Sequence, residues 1–174
     1  MLANPYPYKS LIISKMHEAL RNPRYLHFWL DDFNIDVDKI AEQSEITTID
    51  RTSIENYGQM FNEKVVGYMR ADINRTKHNS ISNVAAICFE QYSTIYARDL
   101  LKFFKMLFTE YKCQKINWRV SSISPYIKSY DKLSQRWGAR KFGPFKKEFI
   151  CRNGEIVDGF IYEITMEEFK NKLK

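Results

Sequence analysis

The sequence predicts an α/β chain: a mixed central β-sheet flanked by helices and ending in a β-hairpin. Three observations predict it. Strand-like and helix-like stretches alternate from residue 62 onward, one helical stretch carries a broad apolar face, and an Asn-Gly pair near the end joins two strand-like runs. The 174 residues, 44% hydrophobic and 15% aromatic, suffice for one domain with a core. No repeat and no Gly/Ser/Pro-rich linker divides the chain. A single domain over 1–174 is therefore expected, with a helical N-terminal part (1–61) and a core (62–174).

Each element has its own signal. Ile12, Met16 and Leu20 recur every four residues with Ala19 beside them, which predicts a helix over Ser10–Leu20 stopped by Asn22-Pro23. "RYLHFWLDDF" reads as a second short helix. In residues 44–62 helix and strand patterns compete. "EKVVGYMRADIN" alternates as a strand, with Val66, Tyr68, Arg70 and Asp72 on one face. "ISNVAAICFE" is apolar enough for a strand covered on both faces, and "RTKHNS" would join the two as a hairpin. A helix follows from about Ile95 to Lys112. Leu100, Phe104, Leu107, Phe108 and Tyr111 make its apolar face, and Ser93 or Thr94 can cap it. "KINWRVSS" is the next strand, and Tyr126–Trp137 the next helix, ending at Gly138. "FKKEFICRNGEIVDGFIYEIT" is a hairpin around Asn153-Gly154, and "MEEFKNKLK" a last short helix.

Composition narrows the function classes. No apolar run approaches the roughly 20 residues of a membrane-spanning helix, and the start lacks a signal-peptide pattern, so a soluble, cytoplasmic chain is expected. Cys88, Cys113 and Cys151 are far apart and odd in number, as expected of small buried hydrophobes in a reducing compartment. His17, His27 and His78 form no metal-site spacing with them, so no metal is expected. The net charge of +6 is uneven. Residues 1–97 hold 10 Lys and Arg against 12 Asp and Glu; residues 98–174 hold 17 against 9. A basic half suggests an anionic partner, either nucleic acid or a phosphate-rich cofactor, unless it is simply a solvated surface.

Three stretches, taken together, resemble the GNAT superfamily of N-acetyltransferases over about residues 62–170. "EKVVGYMRADIN" is similar to that family's central strand with its "VG" pair. The strand–turn–helix at Ile87–Lys112 is similar to its acyl-CoA-binding segment. "KLSQRWGARKFGPFKKEFICRNGEIVDGFIYEITMEEF" is similar to its closing helix, hairpin and "D-x-x-x-Y-x-I" pattern, here Asp158 to Ile164. The resemblance implies the fold, acetyl-CoA as acyl donor and a primary amine as acceptor.

It also implies site residues. In the family a Q/R-x-x-G-x-G/A turn binds the CoA pyrophosphate through backbone amides and a helix N-terminus. The matching positions are Tyr92, Ile95 and Ala97; Ile95 replaces a glycine and Tyr92 the polar first residue. Thr94, Ile95, Tyr96, Ala97 and Arg98 would form the cradle. Backbone groups near Ile87 and Phe89 would hold the pantetheine arm. Glu90 stands where members carry a base. The family's usual acid, a tyrosine, falls on Ser134, with Tyr130 one turn earlier as a substitute and Tyr126 as a further one. Asp31, Asp32 and Asp36 could attract a cationic acceptor.

A second reading keeps the fold but not the catalysis: a protein that binds nucleic acid or another protein through its basic half. "RWGARKFGPFKK" interleaves Arg136, Arg140, Lys141, Lys146 and Lys147 with Trp137, Phe142 and Phe145, a composition that suits phosphates and stacked bases.

Overall fold

The computed structural model describes residues 1–25, 46–56, 63–74, 80–90, 93–151 and 153–172. One seven-stranded sheet runs through the molecule in the order β1 (Leu2–Ala3), β2 (Ile46–Asn56), β3 (Glu63–Asn74), β4 (Ser80–Cys88), β5 (Lys115–Ser121), β7 (Ile156–Thr165), β6 (Arg140–Ile150). Every neighbouring pair is antiparallel except β4 and β5, which are parallel. Among the described residues four α-helices accompany it: α1 (Lys9–Arg21), α2 (Thr94–Thr109), α3 (Ile127–Trp137) and α4 (Met166–Lys172).

Helix α2 carries the main core. Its Phe103, Phe104, Leu107 and Phe108 pack with Met69, Ala71 and Ile73 of β3, Ile116 and Trp118 of β5 and Ile164 of β7. Trp137 of α3 and Phe169 of α4 join the same cluster, so these three helices share one face of the sheet. On the other face α1 sets Ile12, Met16 and Ala19 against Val65, Tyr68 and Ile87. Strand β4 is thus covered on both faces, which explains its unbroken apolar run. The helix ends follow local chemistry. Ser93 caps α2 by accepting the Tyr96 amide at 3.1 Å, and Gly138 ends α3 at φ +80°, a left-handed position that glycine enters freely.

The N-terminal part departs from expectation. Among its described residues the helices are α1 and short 3-10 turns, and β1 and β2 join the sheet. Strand β2 hides in the sequence because Thr52 and Ser53 are fully buried polar residues, which breaks the apolar alternation. Both are satisfied: Thr52 Oγ1 donates to the Gly67 carbonyl at 2.9 Å, and Ser53 Oγ to Asp99 Oδ2 at 2.8 Å. A register shift at Ser53/Ile54 brings Val65 into the α1 cluster with Tyr68. Of the expected second short helix only Arg24 and Tyr25 are described, within a 3-10 turn over Pro23–Tyr25; the rest of it, like Asp31, Asp32 and Asp36, lies outside the described residues. Strand β6 begins at Arg140, earlier than the hairpin pattern predicts, and tolerates Pro144 because it is an edge strand.

Candidate active site

The site begins where β4 and β5 part. They are in ladder register only at Ser80 and Lys115, at their N-terminal ends. Beyond that pair no ladder joins them among the described residues, so the facing edges of their C-terminal halves lack a strand partner. On its other side β4 is tied to β3 in regular antiparallel register, Tyr68 opposite Ile87 and Gly67 opposite Cys88. The Phe89 amide donates to the Val66 carbonyl at 2.9 Å.

That bond sets the parity. Hydrogen-bonded pairs alternate along an antiparallel ladder, so Ile87 and Phe89 turn their backbone groups toward β3. Those of Ala86 and Cys88 turn toward β5 and the opening. The strand edge that faces away from β3 therefore belongs to Ala86 and Cys88, the neighbours of Ile87 and Phe89. The Ile87 side chain is buried against α1, and Phe89 is half-buried beside it.

The N-terminus of α2 lies just beyond. Tyr96 and Ala97 have already placed their amides, on Ser93 Oγ and on the Ser93 carbonyl, both at 3.1 Å. Among the described residues the amides of Thr94 and Ile95 have no partner. Thr94 is exposed and Ile95 half-buried; Tyr92 lies outside the described residues. The first turn contains no acidic residue. Arg98 is exposed, with Nε 3.7 Å from Asp99 Oδ1, and Lys102 Nζ approaches the same oxygen at 3.6 Å. Asp99 itself is fully buried, and its other oxygen takes Ser53 Oγ and the amino group of Met1 at 3.1 Å. Sequence reasoning missed Asp99, because its partners Met1 and Ser53 come from β1 and β2.

Tyrosines gather around the end of β4. The Tyr96 ring packs against Gly67: a Cβ there would sit 2.2 Å from its Cδ2. Tyr25, opposite the end of β4, donates its hydroxyl to the Cys88 carbonyl at 2.7 Å. Tyr130 reaches from α3 to within 6.2 Å of the Trp118 ring on β5 and 5.8 Å of Tyr162. Burial, then the neighbouring Tyr126 and Cys88, push the Tyr130 phenol up to about 12. Burial, then Tyr130, Cys88, Tyr126 and Tyr25, raise Tyr96 well above an ordinary phenol.

The other candidates are less open. The Ser134 hydroxyl is buried at 6% exposure and has no hydrogen-bond partner, while its carbonyl accepts the Gly138 and Ala139 amides. Glu90 sits at the lip, its Oε1 2.9 Å from Lys64 Nζ. Cys88, half-buried, lies within the tyrosine group, its Sγ 3.0 Å from the Glu90 carbonyl; Cys113 and Cys151 are buried free thiols. Among the described residues no set of three His, Cys, Asp or Glu side chains gathers as a metal site, and no helix is long and apolar enough to cross a membrane.

Solved acetyltransferases share this fold. Spermidine N-acetyltransferase from Vibrio cholerae, in complex with CoA and spermine, matches with a TM-score of 0.63 at 19% identity, over 91% of this chain and 93% of that one. The fold is that of the GNAT N-acetyltransferases. The spermidine/spermine N-acetyltransferase SpeG from the same organism, in complex with manganese ions, matches with a TM-score of 0.58 at 16% identity, over 79% and 75% of the two chains. No protein-family model matches the sequence, and no curated protein matches it at significant similarity. The likeness to these enzymes lies in the fold, at 16–19% identity.

Proposed function

We propose that this chain is an acyl-CoA-dependent N-acyltransferase that moves an acetyl group from acetyl-CoA to a primary amine by direct transfer. The observation that carries the reading is the parting of β4 from β5 directly in front of the α2 N-terminus. A pantetheine arm needs amide partners along a strand edge, and Ala86 and Cys88 turn theirs that way. A pyrophosphate needs N–H donors and a cation, and the unbonded amides of Thr94 and Ile95 with exposed Arg98 fit both needs. The N-terminal turn works without the family's glycine because only two amides are required of it.

Acetyl-CoA supplies the activated acyl group; this chain's residues position it and manage protons. Much of the rate comes from holding donor and amine together. The Tyr130 hydroxyl, protonated throughout the physiological range, serves as hydrogen-bond donor to the departing sulfur rather than as a strong acid. Glu90 is the candidate base at the lip, its carboxylate paired with Lys64 Nζ at 2.9 Å. The enclosed Ser134 takes no part. An amine acceptor also suits the likeness to the Vibrio cholerae enzyme that binds spermine with CoA.

The nucleic-acid reading has less support, because the basic strand is largely neutralised. Arg140 pairs with Glu163 at 2.8 Å and Glu168 at 3.3 Å, Lys141 with Asp131 at 2.9 Å, and Lys146 with Asp158 at 2.8 Å. Calorimetric titration with acetyl-CoA and with CoA decides between the readings. One-to-one micromolar binding, weakened in Arg98→Ala, is expected. Absence of binding to either ligand, with salt-sensitive binding to nucleic acid instead, would replace this reading with the second.

A further inference from the structure

We propose that Tyr162 and Asp131 are positioning residues for the transfer: the hydrogen bond between them sets the part of α3 that carries Tyr130, and with it the place of the Tyr130 hydroxyl. The inference rests on the acyltransferase reading above and adds to it two residues that act through Tyr130.

Among the described residues the Tyr130 hydroxyl has no hydrogen-bond partner, so the contacts of its ring and the backbone that carries it define where it points. The ring lies near two others, Trp118 at 6.2 Å and Tyr162 at 5.8 Å. Those two belong to one row across the sheet. Trp118 of β5 stands directly opposite Tyr162 of β7, and Tyr162 directly opposite Lys141 of β6. Directly opposed side chains share a face of the sheet. The rings of Trp118 and Tyr162 stack, with centroids 5.4 Å apart and planes 7° from parallel, and Tyr162 is fully buried. At the β6 end of the row the Tyr162 hydroxyl donates to Asp131 Oδ1 at 2.8 Å, and Lys141 Nζ donates to the same oxygen at 2.9 Å. Asp131 follows Tyr130 in the chain. The figure is closed: a ring contact joins Tyr130 to Tyr162, a hydrogen bond joins Tyr162 to Asp131, and a peptide bond joins Asp131 to Tyr130.

Among the described residues Asp131 is the one side chain of α3 that hydrogen-bonds to another element. The far end of the helix is held in another way, by Trp137 edge-on to Phe104 at 5.5 Å and to Phe169 at 6.1 Å. Loss of the Asp131–Tyr162 bond therefore leaves α3 docked through Trp137 and frees the turn that carries Tyr130. An ångström of misplacement at a reacting group lowers a rate by up to about a hundredfold. In this reading CoA is bound by β4 and the start of α2, so the loss falls on kcat and spares the affinity for CoA.

The test uses Tyr162→Phe, which removes the hydroxyl and keeps the ring stack. With acetyl-CoA and butylamine, followed by release of free CoA thiol, kcat should fall about tenfold while KM for acetyl-CoA stays within about twofold. Asp131→Ala should fall likewise. Asp131→Asn, whose amide oxygen still accepts the hydroxyl, should keep most of the rate. In a Tyr130→Phe background, Tyr162→Phe should cost nothing further, because the two act as one unit. In the tyrosine-ring NMR spectrum of the full chain, the Tyr130 resonance, assigned by its absence in Tyr130→Phe, should shift in Tyr162→Phe and in Asp131→Ala but not in Asp131→Asn. An unchanged kcat with an unmoved Tyr130 resonance would overturn the positioning role and leave the acyltransferase reading standing. An equal loss of rate with and without the Tyr130 hydroxyl would overturn it too, since a merely structural bond acts in both backgrounds. A Tyr130 resonance that follows Tyr162 and Asp131 as expected, in a protein that binds no CoA, would sustain the hold on Tyr130 and sink the acyltransferase reading.

Discussion

The opening between β4 and β5 and the basic hairpin β6–β7 make an instructive pair. Both stand out in the sequence, one as a strand–turn–helix and the other as a run of cations among aromatics. In the hairpin the structure answers most charges locally: Asp131, Asp158, Glu163 and Glu168 take up Arg140, Lys141 and Lys146. At the opening, among the described residues, the amides of Thr94 and Ile95 have no partner and β4 is laddered to β5 at Ser80 alone, although the Cys88 carbonyl takes the Tyr25 hydroxyl. A surplus of charge in a sequence is therefore a weaker mark of a site than polar groups the fold declines to satisfy.

Experiments can break this contrast or sharpen it. The largest effect is expected from Tyr130→Phe, which removes only the hydroxyl. Turnover with an amine acceptor, followed by release of free CoA thiol, should fall about a hundredfold with CoA affinity little changed. An undiminished rate would place the proton donor elsewhere. Gly67→Ala forces a Cβ into the Tyr96 ring at 2.2 Å. Urea unfolding should show a loss of about 1–3 kcal/mol, and CoA binding should weaken as Tyr96 is pushed from its place. The Ser134→Ala variant should leave the rate unchanged and be neutral or stabilising by up to about 1 kcal/mol, since the buried hydroxyl forms no hydrogen bond. A large fall in rate would restore Ser134 to the chemistry.

The smallest effect belongs to the hairpin. Asp131 titrates below an ordinary carboxylate because Lys141 and Tyr162 both donate to it. A folded pKa below the unfolded one adds stability above the unfolded pKa, near 4, and that stability is lost as pH falls through the folded value. Thermal unfolding of Asp131→Asn between pH 7 and 3 should show a shallower acid decline than the parent. Partial exposure of the pair keeps the difference under about 1 kcal/mol. An identical decline would mean that the pair contributes nothing measurable.

Legibility followed locality. Helix α2, the glycine stop of α3 and the Asn153-Gly154 turn were readable because each signal lies within one stretch of chain. Strand β2 was not, since its buried Thr52 and Ser53 are satisfied only by Gly67 and Asp99. The turn after β4 was readable as a position, but which amides it leaves open was not. That depends on Ser93 taking the Tyr96 amide and on the β3 register turning Ala86 and Cys88, not Ile87 and Phe89, toward the gap. The tyrosine group had no sequence signal beyond a count of 11, because its members come from separate elements.

The most direct test of the account is the backbone amide NMR spectrum of the protein titrated with CoA. The account predicts that the largest shifts fall on Ala86, Cys88, Thr94 and Ile95, with the amides of Ile87 and Phe89, already bonded to β3, moving less. Saturation of the protein with CoA without perturbing those four amides, or shifts confined to β6, would contradict it.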